Sequence, residues 1–148
     1  MTEQLQNLLY KDIPLTKDMG LELIKFNGNV LQAIAPLSNN INDKGSVFGG
    51  SSSALMIITA WSLIKLNCEK NNIDADIVIH KNSTVWHKAS YEDLLMNARF
   101  DREYDFKEIK SIIDSKRHQR ITCNIELVNT DNLKFSTMTA NYVIIPKK

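Results

Sequence analysis

Neither sign of charge prevails in this chain of 148 residues: 18 lysines and arginines stand against 17 aspartates and glutamates, a formal net charge of +1. That balance leaves no electrostatic footprint for nucleic acid or an anionic membrane as the main partner, so any ligand must be recognised locally. Cysteine is scarce. Cys68 and Cys123 form no C-x-x-C pair and have no secretory signal ahead of them, which points to free thiols, a reducing compartment and a cytoplasmic protein. Long apolar runs are missing too: Ala54 to Leu66 is interrupted by Thr59, Ser62 and Lys65, and a bilayer crossing needs about 20 apolar residues. G-x-G-x-x-G and G-K-[ST] are absent, which removes support for dinucleotide binding and nucleotide hydrolysis. His80, His87 and His118 lack ligand spacing, so no metal is expected. Without repeats, low-complexity segments or a linker, residues 1–148 read as one domain, long enough to bury a core without disulfides.

What is present is a run of alternating segments around one apolar stretch. "TEQLQNLLYKDIP" carries Leu5, Leu8 and Leu9 at helical spacing up to Pro14, which predicts an amphipathic helix over 1–12 lying on a surface. "LELIKFNGNVLQAIAP" reads as strand, Asn-Gly turn, strand. A polar loop follows, and then a helix over 49–67 that is apolar on nearly every side and must be wrapped by other structure. "DADIVIHKNSTVWHK", "DLLMNARF", "HQRITCNIELVN" and "LKFSTMTANYVII" return to strand alternation. They are interrupted by "DFKEIKSIIDSKR", a surface helix over 105–117 opened by the capping pair Asp105 and Glu108. The order is α+β: about six antiparallel strands curved around a long central helix, the hotdog layout.

Glycine and serine crowd into "NDKGSVFGGSSS", immediately before the buried helix. Glycines belong where backbone turns tightly or approaches something closely. The spacing of Asn42, Gly45, Gly49 and Gly50 resembles the N-x-x-G-x-x-H-G-G loop of phenylacetate-type hotdog thioesterases, with Phe48 standing where their histidine would be. The wider stretch from Ile13 to Trp61 resembles the "putative thioesterase" hotdog family, found fused behind an N-acetyltransferase domain or standing alone, whose members include malonyl-acyl-carrier-protein decarboxylases. The resemblance implies a homodimer or dimer of dimers with its pocket between protomers. It also implies a role in fatty acid biosynthesis, and a pantetheine-linked substrate on acyl carrier protein or coenzyme A with no further cofactor.

The departure from the hydrolytic pattern bears on the chemistry. Nine residues after Phe48, where phenylacetate-type enzymes keep an aspartate, stands Ile57, and Gly50 to Asn67 contains no acid at all. Hydrolysis without a nearby base loses roughly a hundredfold to ten-thousandfold. Decarboxylation of a malonyl thioester needs an oxyanion hole instead. The expected catalytic groups are the Asn42 amide and the helix-start N–H groups of Gly50 and Ser51, with Val47, Phe48 and Gly49 holding substrate. Two alternatives stay open: a thioesterase with a base from elsewhere, such as Asp43, and a non-catalytic acyl-thioester binding module. Asn42 alone would be an ordinary turn residue, and Ser51, Ser52 and Ser53 ordinary helix-start residues. "SKRHQR", Ser115 to Arg120, would be a solvated face or a grip for a pantetheine phosphate or an acidic carrier protein. Cys68 reads as a small buried hydrophobe.

Overall fold

The structure, a computed structural model, describes residues 1–148. Helix α1 (Thr2–Asp12) buries Leu5 and Leu9, four residues apart on one face. Pro14 does more than end it. It opens a second short helix, α2 (Pro14–Asp18), which the sequence pattern does not predict; a proline at the first helical position sacrifices only an N–H that has no intrahelical partner. Strands β1 (Glu22–Phe26) and β2 (Val30–Ala35) form the expected hairpin. Gly28 takes φ +95° in its turn, while the Asn27 side chain accepts the N–H groups of Asn29 and Val30 at 3.0 and 2.8 Å.

The central helix α3 (Gly49–Lys70) runs a turn beyond the expected 49–67. Its apolar stretch holds polar residues without penalty because they bond locally: Thr59 and Ser62, both fully buried, donate to the carbonyls of Leu55 and Ile58 at 2.7 Å each. Strands β3 (Ala75–Trp86), β4 (Leu94–Phe100), β5 (Gln119–Val128) and β6 (Lys134–Pro146) complete one six-stranded sheet ordered β1-β2-β4-β5-β6-β3, every pairing antiparallel. Helix α4 (Phe106–Asp114) is shorter than the predicted 105–117. Asp105 lies outside it as the N-cap, accepting the N–H groups of Lys107 and Glu108 at 2.9 and 3.4 Å. The sheet curves around α3, which is the hotdog fold. No helix is long and apolar enough to cross a membrane.

Two side chains tie the helix to the sheet. The Trp61 indole N–H donates to the Ile77 carbonyl at 2.9 Å, and the Tyr142 hydroxyl donates to the Ile57 carbonyl at 2.6 Å. Burial pushes the Tyr142 phenol far above its ordinary pKa, so it stays a neutral donor. Tyr142→Phe should lower stability by about 1–2 kcal/mol, seen as a lower urea midpoint with unchanged slope. Burial also pushes the thiols of Cys68 and Cys123 up to about 12, in keeping with inert packing residues.

The two sheet edges differ. β1 is short and covered by α1, whereas β3 is 12 residues long and open along its outer side. Register with β6 turns Ile79 and Trp86 toward the helix side, opposite Tyr142 and Ser136, yet they remain 39% and 53% exposed. The sheet therefore overhangs its own helix at this edge.

Candidate functional site

The loop before α3 is held by asparagines. Asn40, 2% exposed, donates its amide to the carbonyls of Met19 and Pro36 at 2.9 and 2.8 Å and accepts the Phe48 N–H on its own carbonyl at 2.8 Å. Asn42 closes the tighter inner turn. Its Oδ1 accepts the N–H groups of Lys44 and Ser46 at 2.9 and 3.0 Å, its Nδ2 donates to the Ser46 hydroxyl at 2.9 Å, and Gly45 takes φ +82°. One amide hydrogen of Asn42 is thus engaged and the other has no protein acceptor.

The helix begins without a cap. Phe48, the N-cap, is extended at φ −66° and ψ 128° and has no polar side-chain atom to offer; the first bond is from Ser52 N–H to the Phe48 carbonyl at 3.0 Å. The N–H groups of Gly49, Gly50 and Ser51 consequently have no protein acceptor, at the end of the helix where the macrodipole favours negative charge. Ser52 faces inward: its hydroxyl donates to the Gly49 carbonyl at 3.0 Å and accepts the Trp86 indole N–H at 3.1 Å. That leaves it no free role as a nucleophile. A Cβ on Gly50 would lie 2.4 Å from the Phe48 ring, so this glycine makes room for that ring, whereas Gly49 faces the Trp86 indole.

Between the loop, the helix start and the segment Trp86–Ser90 lies a cavity of about 370 Å³. Asn42, Ser46, Val47, Gly49 and Ser52 form one wall, and Leu127 and Phe135 contribute apolar surface on the other. No aspartate or glutamate lines it. Just past β3, His87 and Lys88 both donate backbone N–H groups to the Phe135 carbonyl, at 2.9 and 3.2 Å, and this segment lines the cavity. His87 Nε2 lies 2.8 Å from the Thr137 hydroxyl, and its other ring nitrogen has no partner.

Of the residues expected from sequence, Asn42, Val47 and Gly49 meet at this cavity; Phe48, Gly50 and Ser51 do not line it. Phe48 is instead 54% exposed, its ring folded over Gly50 on the helix flank. Asp43 is not on the cavity wall either, and its 80% exposed side chain pairs with Lys44 at 3.4 Å. Sequence reasoning missed Ser46, Trp86, His87 and Lys88. The one available signal was the Trp-His-Lys step that ends the alternation of "DADIVIHKNSTVWHK", since it puts large polar-tipped residues at a strand exit. Ile57 is half-buried, and no acid replaces it nearby on α3.

A curved antiparallel sheet around one helix, whose start opens on a pocket without acids, defines a hotdog protein. The chain belongs to the family described as "Putative thioesterase (yiiD_Cterm)", whose sequence profile matches residues 2–146. Its chemistry is therefore that of acyl-thioester processing. Among solved structures it is similar to a "putative thioesterase" from Shewanella oneidensis, at 22% identity and TM-score 0.88, over 98% of this chain and 97% of that one. It is likewise similar to a protein of unknown function from Chlorobaculum tepidum, at 21% identity and TM-score 0.89, over 99% and 94%. A thioesterase from Haemophilus influenzae shares 14% identity at TM-score 0.78, over 99% and 91%. At these identities the likeness is one of fold.

Proposed function

We propose that this protein decarboxylates a malonyl thioester carried on acyl carrier protein, yielding the acetyl thioester for fatty acid synthesis. The observation that carries this reading is the pairing of unsatisfied donors, the Gly49 N–H and one Asn42 amide hydrogen, with a cavity that contains no carboxylate. The bond between the carboxylate carbon and the α-carbon breaks, carbon dioxide leaves, and the electron pair delocalises onto the thioester oxygen as an enolate. Preorganised N–H donors at that oxygen lower the barrier because they bind the developing charge more strongly than the neutral carbonyl. A proton delivered to the α-carbon completes the acetyl thioester. Solvent supplies that proton, because the His87 ring is tied to Thr137 on the sheet face away from α3. An acid at the helix start would oppose both the substrate carboxylate and the enolate, so its absence suits this reaction.

The family description favours a second reading, hydrolysis, with water activated by a base that the cavity of one protomer does not supply. Incubation with malonyl carrier protein and with malonyl-CoA, followed by mass spectrometry, separates the readings. The expected product is an acetyl thioester. A free thiol would establish hydrolysis instead, and unchanged substrate with saturable binding would leave only a binding module. Running both carriers also decides which one is used.

The same reading includes a second copy of the chain. The open β3 edge, with Val78, Ile79, Val85 and Trp86 exposed and Phe48 exposed nearby, is a long unpaired edge that an identical strand would cover. Gly50 and Ser51 would then face the partner. Light scattering should give twice 16.9 kDa at micromolar concentration; a stable monomer would sink the shared-pocket arrangement.

A further inference from the structure

A second cavity, of about 460 Å³, lies at the opposite end of α3, between the β1–β2 turn, the end of β4 and the start of α4. Asn67 on its wall and Gly49 on the first cavity are 18 residues apart on one helix, about 27 Å at the rise of an α-helix. The two spaces are separate sites. The acyl chemistry described above uses nothing in this one.

Its lining is graded. The deep part is aromatic: Phe106 is buried, and Phe100 and Tyr104 are half-buried, with Phe100 5.7 Å from Phe106 and 5.5 Å from Tyr104 between ring centroids. Asn67, 6% exposed, donates both amide hydrogens, to the carbonyls of Gly28 and Leu63 at 2.9 Å each. Its Oδ1 accepts nothing from the protein and is not sealed inside it, so it looks into the cavity as a bare acceptor. The rim is cationic. Arg99 and Arg102 are exposed, and neither guanidinium has an ion-pair or hydrogen-bond partner. Arg102 is held with its guanidinium carbon 4.9 Å from the Tyr104 ring centroid, whose hydroxyl donates to Asp101 at 2.6 Å and accepts the Thr122 N–H at 3.1 Å. Glu103 adds one carboxylate to the same rim.

We propose that this cavity binds an amino-purine nucleoside monophosphate, with the base on the aromatic wall, its exocyclic amine donating to Asn67 Oδ1, and the phosphate held by Arg99 and Arg102. Each part of the ligand answers one unmet group. The bare Oδ1, beside the C-terminal end of α3 where the helix dipole is negative, wants a donor and repels an anion. Two unpaired guanidiniums want an anion and offer it charge-assisted, bidentate hydrogen bonds. Glu103 can accept from ribose hydroxyls. Aromatic faces stack a planar base irrespective of its sequence identity, and the volume falls in the usual range for sites of this size.

The test is calorimetric titration of the purified chain with AMP, IMP, adenosine and inorganic phosphate, repeated on the double variant Arg99→Gln, Arg102→Gln. AMP should bind saturably and lose roughly tenfold or more in the double variant, since each factor of ten corresponds to about 1.4 kcal/mol. IMP, which lacks the amine, should bind more weakly than AMP, as should adenosine and phosphate alone. AMP-induced amide shifts should centre on Gly28, Asn29 and Arg99. Absence of saturable AMP binding, an unchanged affinity in the double variant, or phosphate binding as tightly as AMP would each overturn the assignment. So would shifts centred on Asn42 and Gly49, which would put the nucleotide in the first cavity. None of these readings depends on whether the chain turns over a thioester.

Discussion

Asn42→Asp is expected to keep the fold near wild-type stability while lowering kcat for malonyl-thioester decarboxylation by roughly a hundredfold to a thousandfold, the usual cost of one oxyanion-hole donor. The geometry makes aspartate the informative replacement. Oδ1 of Asn42 holds the turn by accepting the Lys44 and Ser46 N–H groups, and a carboxylate keeps both bonds. Ser46 can reverse its hydroxyl and donate, because it already lies 3.2 Å from that oxygen. What aspartate cannot do is donate to an enolate. It also sets a negative charge against one, so the loss falls on the transition state and appears in kcat more than in KM. Asn42→Ala removes the turn bonds and the donor together, and would lose about 1 kcal/mol or more of stability as well. Measuring the melting temperature and kcat on the same preparation of each variant separates the roles. An Asn42→Asp protein with wild-type kcat would take Asn42 out of the mechanism.

How far the site could be read from sequence depended on where its residues lie along the chain. The hairpin turn at Asn27-Gly28, the buried helix and the cap at Asp105 are local features. Their residues bond to neighbours within a few positions, so the sequence order carries the geometry. The same holds for the Asn42 turn and the glycines before α3. The far wall of the cavity is different in kind. Trp86 reaches Ser52 across 34 residues, and only the completed β3–β6 pairing brings it to the helix start; His87 reaches Thr137 across 50 by the same pairing. No local pattern encodes such a meeting, and scattered histidines read as strand residues until the sheet is assembled. Ser46 was passed over for a related reason: in sequence it is one more small loop residue, and only its burial shows that it orients the Asn42 amide. Gly50 has a local reason of its own, since its missing Cβ accommodates the ring of Phe48, two residues back. Pro14 was legible as a helix stop but not as a helix start, because the same fixed φ serves both.

The helix-start donor can be deleted without touching any side chain, and Gly49→Pro is the substitution that does so. Gly49 is the first helical residue, and its N–H has no protein acceptor, so proline removes no hydrogen bond that supports the fold. The residue before a proline must be extended, and Phe48 already is, at ψ 128°. The new Cβ would meet the Trp86 indole at 3.4 Å, an ordinary contact. The variant should therefore fold, and should gain about 0.4–1 kcal/mol because proline restricts the unfolded chain more than glycine does. On the proposed mechanism its kcat should nevertheless drop by roughly a hundredfold or more, since the variant lacks the N–H assigned to the enolate oxygen. Gly49→Ala, which keeps the N–H and adds the same Cβ, should retain most of the activity and serves as the control for crowding. A Gly49→Pro protein that is at least as stable as wild type and equally active would show that the carbonyl does not sit at this helix end, and the oxyanion hole would have to be sought elsewhere in the fold.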